Sequence, residues 1–212
     1  MSTMLHHEEE LWDHGFSRIV GTDEAGRGPL AGPVVVAGVV FEKHALIEGV
    51  TDSKALVESE REHFFELIQQ KALAYHIAII GHEEIDRINI LQASLMGMRE
   101  CVEKLPIKAD YVLVDGHMEP CPKNHEYGNK QRAIIKGDAK SFTIAAASIL
   151  AKVTRDRLMV EYDRIFPKYY FAKNKGYPTP EHVEALRTHG LSTVHRRTFC
   201  AGILSEQLGL GL

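Results

Sequence analysis

Cysteine is scarce in this 212-residue chain: Cys101, Cys121 and Cys200 are odd in number and far apart. They show no paired spacing of the kind that marks a disulfide framework or a zinc ribbon, so a reducing, cytoplasmic setting is expected. Long apolar runs are missing too. The longest, residues 33–41, falls far short of the roughly 20 residues a spanning helix needs, and no membrane contact is expected. Residues 1–14 carry Glu8, Glu9, Glu10 and Asp13 and lack the basic-then-apolar order of an export signal. Repeats, low-complexity tracts and long linkers are also absent, which leaves one principal domain as the expectation. With 44% hydrophobic and 25% charged residues, the chain has enough apolar sequence to bury a full core.

Excess positive charge is lacking as well. The formal net charge is −4, which by itself argues against a nucleic-acid partner, because phosphate binding needs cationic surface. The average conceals a division. Residues 1–120 hold 10 Lys and Arg against 21 Asp and Glu, whereas residues 121–200 hold 15 against 7. A basic second half suits a phosphate-facing surface, although solvated helix faces would give the same count.

Residues 17–23 and 34–41 read as strands, the second rich in β-branched residues, with a glycine-rich turn between them. Helical periodicity covers about residues 58–73, where Phe64, Phe65, Leu67 and Ile68 supply an apolar face. Residues 75–80 read as a third strand, 91–105 as a helix, 111–114 as a buried strand, and 133–135 as a short fifth strand. A long helix is expected over 143–165, where Ala145, Ala146 and Ala147 permit close packing on a sheet. Residues 167–180 read as a loop, and Thr179-Pro180-Glu181 starts a further helix with a cap, a first-turn proline and an acid. The expected fold is α/β with a mixed central sheet flanked by helices. The expected division is an N-terminal extension (1–16), a core (17–166), and a C-terminal loop and helical region packed on it (167–212).

Four acids stand where strands meet loops. Asp23 and Glu24 precede the Gly26-Arg27-Gly28-Pro29 turn, Asp115 ends an apolar strand before Gly116, and Asp138 follows Lys136-Gly137 ahead of the long helix. Adjacent strand residues point to opposite faces, so Asp23 and Glu24 are expected to share one site only if the backbone leaves strand geometry there. An acid at a strand end is commonly just a turn or helix cap. Four together repel one another unless a hard divalent ion, Mg²⁺ or Mn²⁺, sits among them, which is the chemistry of phosphodiester hydrolysis.

The motifs then resemble one family in order. Residues 21–33, Gly-Thr-Asp-Glu-Ala-Gly-Arg-Gly-Pro-Leu-Ala-Gly-Pro, resemble the opening signature of ribonuclease HII, and Asp52-Ser53-Lys54 resembles its next motif. Leu113-Val114-Asp115-Gly116, Lys136-Gly137-Asp138, residues 146–156, Gly176-Tyr177-Pro178-Thr179 and His195-Arg196 follow the same pattern. The likeness spans about residues 19–199. It implies an RNase H-like fold and catalytic, metal-binding carboxylates at Asp23, Glu24, Asp115 and Asp138. It also implies that Gly26, Arg27 and Gly28 approach the ribose, that Arg27 meets phosphate, and that Tyr177 stacks on the sugar after a ribonucleotide. Lys54, Ser148, Lys152 and Arg196 are secondary candidates for phosphate contact. The implied substrates are RNA–DNA hybrids and duplex DNA containing ribonucleotides, cut on the 5′ side to leave a 3′-hydroxyl and a 5′-phosphate. Another nuclease or strand-transfer enzyme on the same fold, or a noncatalytic binder holding a structural ion, would share the acids, but the glycine turn and Tyr177 favour ribonucleotide recognition.

Three features stand apart. His117, Cys121 and His125 are evenly spaced but lack an evident fourth ligand for zinc. Asp156 sits between Arg155 and Arg157 and is expected to form ion pairs. The tail Gln207-Leu208-Gly209-Leu210-Gly211-Leu212 weakly resembles the glutamine-leucine peptides that dock on a sliding clamp, and a weak contact of that kind is expected from an otherwise monomeric protein.

Overall fold

In the computed structural model, which describes residues 4–207, helix α1 (His6–Asp13) leads into β1 (Ile19–Ala25) and the antiparallel β2 (Val34–Val40). Helix α2 (Glu58–Lys71) and strand β3 (Ala74–Ile80) come next, and β3 pairs antiparallel with β2. Helices α3 (His82–Ile88) and α4 (Ile90–Glu103) then carry the chain to β4 (Tyr111–Asp115), parallel to β1, and β5 (Gln131–Ile134), parallel to β4. The sheet order β3-β2-β1-β4-β5 is therefore mixed. Helix α5 (Phe142–Ile165), the short α6 (Phe171–Asn174), α7 (Pro180–His189) and α8 (Arg197–Gln207) complete the chain.

Strand β2 explains how the layers form. All seven of its residues are buried, so both sheet faces are covered. Alternation then sorts the side chains. Val35, Ala37 and Val39 join a core with Phe142, Ala145 and Ile149 of α5, while Val34, Val36 and Val40 join another with Ala93, Met98 and Cys101 of α4. Leu113 of β4 faces the α5 side, and Val112 and Val114 face the α4 side. Helix α5 lies close on β1: a Cβ on Gly21 would stand 2.3 Å from the Thr143 carbonyl carbon. A third core, with Leu30, Met159, Phe171 and Leu186, fastens the C-terminal helices over the β1–β2 turn.

Several boundaries differ from the sequence reading. Strand β1 continues through Asp23 and Glu24, which pair with Ala37 and Val36, because the valine run of β2 offers a partner to every residue as far as Ala25. Helices α1 and α3 are additional elements, and the expected loop at 167–180 contains a 3-10 turn (Pro167–Tyr169) as well as α6. Among the described residues no helix is long and apolar enough to cross a membrane. The tail at 208–212 lies outside the described residues.

Candidate active site

Because β1 and β4 run parallel with Thr22 beside Val114, the next residues along, Asp23 and Asp115, come out side by side. Both belong to the sheet face that meets α5. Asp138, in a 3-10 turn between β5 and α5, completes the cluster: one carboxylate oxygen from each of Asp23, Asp115 and Asp138 lies within 4.8 Å of the others. Glu24 points from the other face, towards α4, and borders a small crevice with Ser94, Leu95 and Asp115. The two neighbours thus reach Asp115 from opposite sides without any departure from strand geometry.

The acids are held by few partners. Asp115 Oδ1 accepts from the Gly137 amide at 2.7 Å, and Asp23 Oδ1 accepts from the Glu24 amide at 2.7 Å. Lys54 Nζ lies 3.4 Å from Asp138 Oδ2, and Arg27 Nη1 lies 3.3 Å from Glu24 Oε1. Burial, and then the charges of Glu24 and Asp115, hold the Asp23 carboxyl well above the usual carboxylate range. Burial also raises Glu24 and Asp138, with Asp115 adding repulsion in both cases. Converging oxygen donors that resist ionisation when left to one another fit a hard divalent cation, which would supply the missing positive charge.

A cavity of about 310 Å³ opens in front of Asp23, Glu24 and Asp115. Of the residues expected at the site, Asp23, Glu24, Gly26, Arg27, Gly28, Lys54, Asp115, Ser148, Lys152 and Tyr177 all line it. Ser148 is buried and shares a 2.8 Å hydrogen bond with Ser53, while Lys152 is drawn to Asp156 at 2.7 Å. Tyr177, 43% exposed, presents its ring to solvent at the rim. Its carbonyl is held from behind by His182 Nδ1 at 2.8 Å.

Arg196 departs from expectation. It is fully buried, so its guanidinium does not offer itself to phosphate. Four of its five guanidinium N–H groups go to backbone carbonyls: those of Gly26 (2.7 Å), Gly32 (2.9 Å), Arg27 (3.0 Å) and Pro33 (3.1 Å). Arg155, missed in the sequence reading, is its companion. It binds the carbonyls of Lys175 (2.9 Å), Pro33 (3.1 Å) and Ala31 (3.2 Å), and its guanidinium lies 6.0 Å from the Tyr177 ring centre. A signal was available, since Ser148, Lys152, Arg155 and Met159 follow the spacing of one helix face. No zinc site forms from His117, Cys121 and His125: Cys121 is buried, His125 Nε2 meets Glu103 at 3.0 Å, and the described residues hold no metal-ligating group there.

Solved structures with this fold place it in a class. Ribonuclease H2 from Pyrococcus horikoshii OT3 superposes with a TM-score of 0.72 at 28% identity, covering 90% of this chain and 99% of that one. RNase HII in the PCNA:RNase HII complex from Archaeoglobus fulgidus gives 0.67 at 27% identity, covering 84% and 93%. The mixed sheet, its flanking helices and the acid cluster at the β1–β4 ends are thus those of an RNase H-like enzyme.

The protein-family model for ribonuclease HII matches residues 20–201. Ribonuclease HII of Acholeplasma laidlawii (strain PG-8A) is 50% identical over 195 residues, 92% of this chain and 93% of the relative. The chain belongs to the ribonuclease HII family, whose members are divalent-metal-dependent ribonuclease H endonucleases.

Proposed function

We propose that the protein hydrolyses the RNA strand of RNA–DNA hybrids and cuts duplex DNA on the 5′ side of an embedded ribonucleotide, leaving a 3′-hydroxyl and a 5′-phosphate. The observation that carries this reading is the shared cavity, where a carboxylate cluster, the turn at 26–28 and Tyr177 face the same space. Asp23, Glu24, Asp115 and Asp138 would hold Mg²⁺ or Mn²⁺. When bound, two such ions supply an activated water and a counter-charge for the leaving oxygen of an in-line displacement.

The remaining work falls to the chain. Gly28 leaves the cavity wall without a side chain, so a ribose can approach the backbone, whose donors read the 2′-hydroxyl that separates RNA from DNA. Arg27, Lys54 and Lys152 line the same space and offer cationic donors to flanking phosphates. Tyr177 provides a flat apolar surface for the following sugar. Such a cut leaves the ribonucleotide at the 5′ end of a nick, the opening step of its excision from DNA.

The test is a cleavage panel of duplexes with one ribonucleotide, four ribonucleotides or none, under Mg²⁺ and Mn²⁺ in turn. Cutting of the first two and not the third supports the reading, whereas cutting of the all-DNA duplex contradicts it. The tail at 207–212 is proposed as a weak clamp-docking peptide, in keeping with the PCNA complex of the Archaeoglobus fulgidus relative. Unchanged clamp binding after its deletion removes that proposal.

A further inference from the structure

Arg155 and Arg196 are 1% and 0% exposed, and among the described residues neither forms an ion pair with a carboxylate. Burying two cations side by side without an acid is unfavourable, and repulsion between them adds to the cost. Besides the Tyr177 ring 6.0 Å from the Arg155 guanidinium and the Phe199 ring 5.1 Å from that of Arg196, compensation comes from backbone carbonyl dipoles, every one of which belongs either to residues 26–33 or to Lys175, two residues before Tyr177. A merely apolar core position would be served better by leucine or methionine. What the pair accomplishes is the orientation of a particular turn.

Peptide geometry says which groups that orientation aims. A trans peptide unit is rigid and planar, so the C=O of one residue and the N–H of the next point in opposite directions. Arg196 draws the Gly26 carbonyl inward at 2.7 Å and the Arg27 carbonyl inward at 3.0 Å. The amides of Arg27 and Gly28, coupled to those carbonyls, are thereby turned outward. Both residues line the cavity before the acids, and among the described residues neither amide has an acceptor. We propose that Arg196, braced by Arg155, is a positioning residue that presents the Arg27 and Gly28 amides as two preset donors for the 2′-hydroxyl of a bound ribonucleotide. This rests on the reading of residues 26–28 as the ribose-recognising turn.

Preset donors contribute most where nothing has to reorganise during reaction, and removing one from a site of this kind commonly costs about a hundredfold in rate. Lysine at 196 keeps the charge but offers a single point donor where a planar fork holds four carbonyls. Arg196→Lys and Arg196→Gln should therefore lower kcat/KM on a one-ribonucleotide duplex by about tenfold to a hundredfold, at a temperature where each variant is fully folded by circular dichroism. Affinity for an all-DNA duplex should stay within about twofold, because phosphate contacts are untouched. Wild-type turnover by either variant overturns the proposal, as does an equal loss on both duplexes.

Should both variants fail to fold, the wild-type full chain still decides the matter by amide NMR in EDTA, where the duplex stays intact. The Arg27 and Gly28 amide signals should shift with the one-ribonucleotide duplex and not with the all-DNA duplex. Equal shifts with both would assign the amides to phosphate and defeat the idea. A wild-type enzyme that cleaves all-DNA duplex would instead defeat the functional reading on which the proposal stands.

Discussion

Gly26 and Gly28 stand two residues apart in one turn and answer to different constraints. Gly26 has a φ of +98°, and a Cβ there would lie 2.0 Å from Arg155 Nε, inside the buried arginine itself. Gly28 has no such conflict: its Cβ would meet only Tyr177 Cε1, at an ordinary 3.6 Å. The fold demands glycine at 26 and has room for a side chain at 28, where the proposed ribose contact would be what asks for glycine. Gly26→Ala should lower stability by about 1–3 kcal/mol. Gly28→Ala should leave stability within about 0.5 kcal/mol while cutting turnover on a one-ribonucleotide duplex by about tenfold or more through the methyl group in the ribose path. Denaturant melts and initial rates on the two variants check this. A fully active Gly28→Ala would show that no substrate group comes close there. Asp23 makes the complementary case for the acids. Its folded-state carboxyl is held high by burial and like charge, so without divalent ion the stability linked to it is present at low pH and lost as pH rises through the raised value. Asp23→Asn should melt higher than wild type in EDTA at neutral pH, gain less from added Mg²⁺, and lose about a hundredfold or more in turnover. A variant less stable than wild type in EDTA would mean that the carboxylate supports the fold instead of straining it.

Two elements owe their placement to buried polar contacts that periodicity does not reveal. Helix α1, His-His-Glu-Glu-Glu-Leu-Trp-Asp, looks like a charged extension, yet Glu8 is fully buried. Its Oε1 accepts from Ser141 Oγ (2.6 Å), Thr143 Oγ1 (2.8 Å) and the Thr143 amide (3.0 Å), capping the start of α5. Glu8→Ala should cost about 2–4 kcal/mol, with Glu8→Gln recovering part through its remaining carbonyl oxygen. A loss under about 1 kcal/mol in urea denaturation would reduce α1 to an appendage. In α7, His182 Nδ1 must donate to the Tyr177 carbonyl, so the neutral ring accepts at Nε2 from His195 Nε2 at 3.0 Å. His195 then accepts at Nδ1 from the Ser192 amide (2.9 Å) and hydroxyl (2.7 Å). An added proton on either ring sets donor against donor. Burial, then the neighbouring His182, pull His195 down to about 4, and burial lowers His182 as well. The unfolded chain takes up these protons near pH 6.5 and the folded one does not, so the stability linked to this pair should fall between about pH 6.5 and pH 4 and stay level above. For His195 alone the span is about 3 kcal/mol. His195→Gln should flatten that slope in denaturation series from pH 7.5 to 4.5; equal slopes for variant and wild type would contradict the tautomer chain.

Across the whole molecule, the strands were legible because β-branched runs mark them, and the acids because each stands at a strand end or before a helix. Their convergence was not legible from local pattern: Asp23 and Asp115 meet only because β4 enters the sheet parallel to β1, and strand order leaves no trace in periodicity. The ordered motifs supplied what periodicity could not. The two arginines were hidden for a related reason, since a cation satisfied by carbonyl dipoles reads like any surface charge until the chain is folded. The short α3, with seven residues, was lost beside the stronger period of α4. The assembled picture is of carboxylates at the end of a mixed sheet, facing a glycine turn that is held from behind and a tyrosine that is held from the side. The measurement that tests it most directly is mapping of both ends released from a duplex carrying one ribonucleotide, in single-turnover reactions with Mg²⁺. One cut on the 5′ side of the ribonucleotide is expected, with a 3′-hydroxyl and a 5′-phosphate, and no product from Asp115→Asn. A 2′,3′-cyclic phosphate would contradict it, because the ribose hydroxyl would then be the nucleophile and the carboxylate centre would have no water to direct.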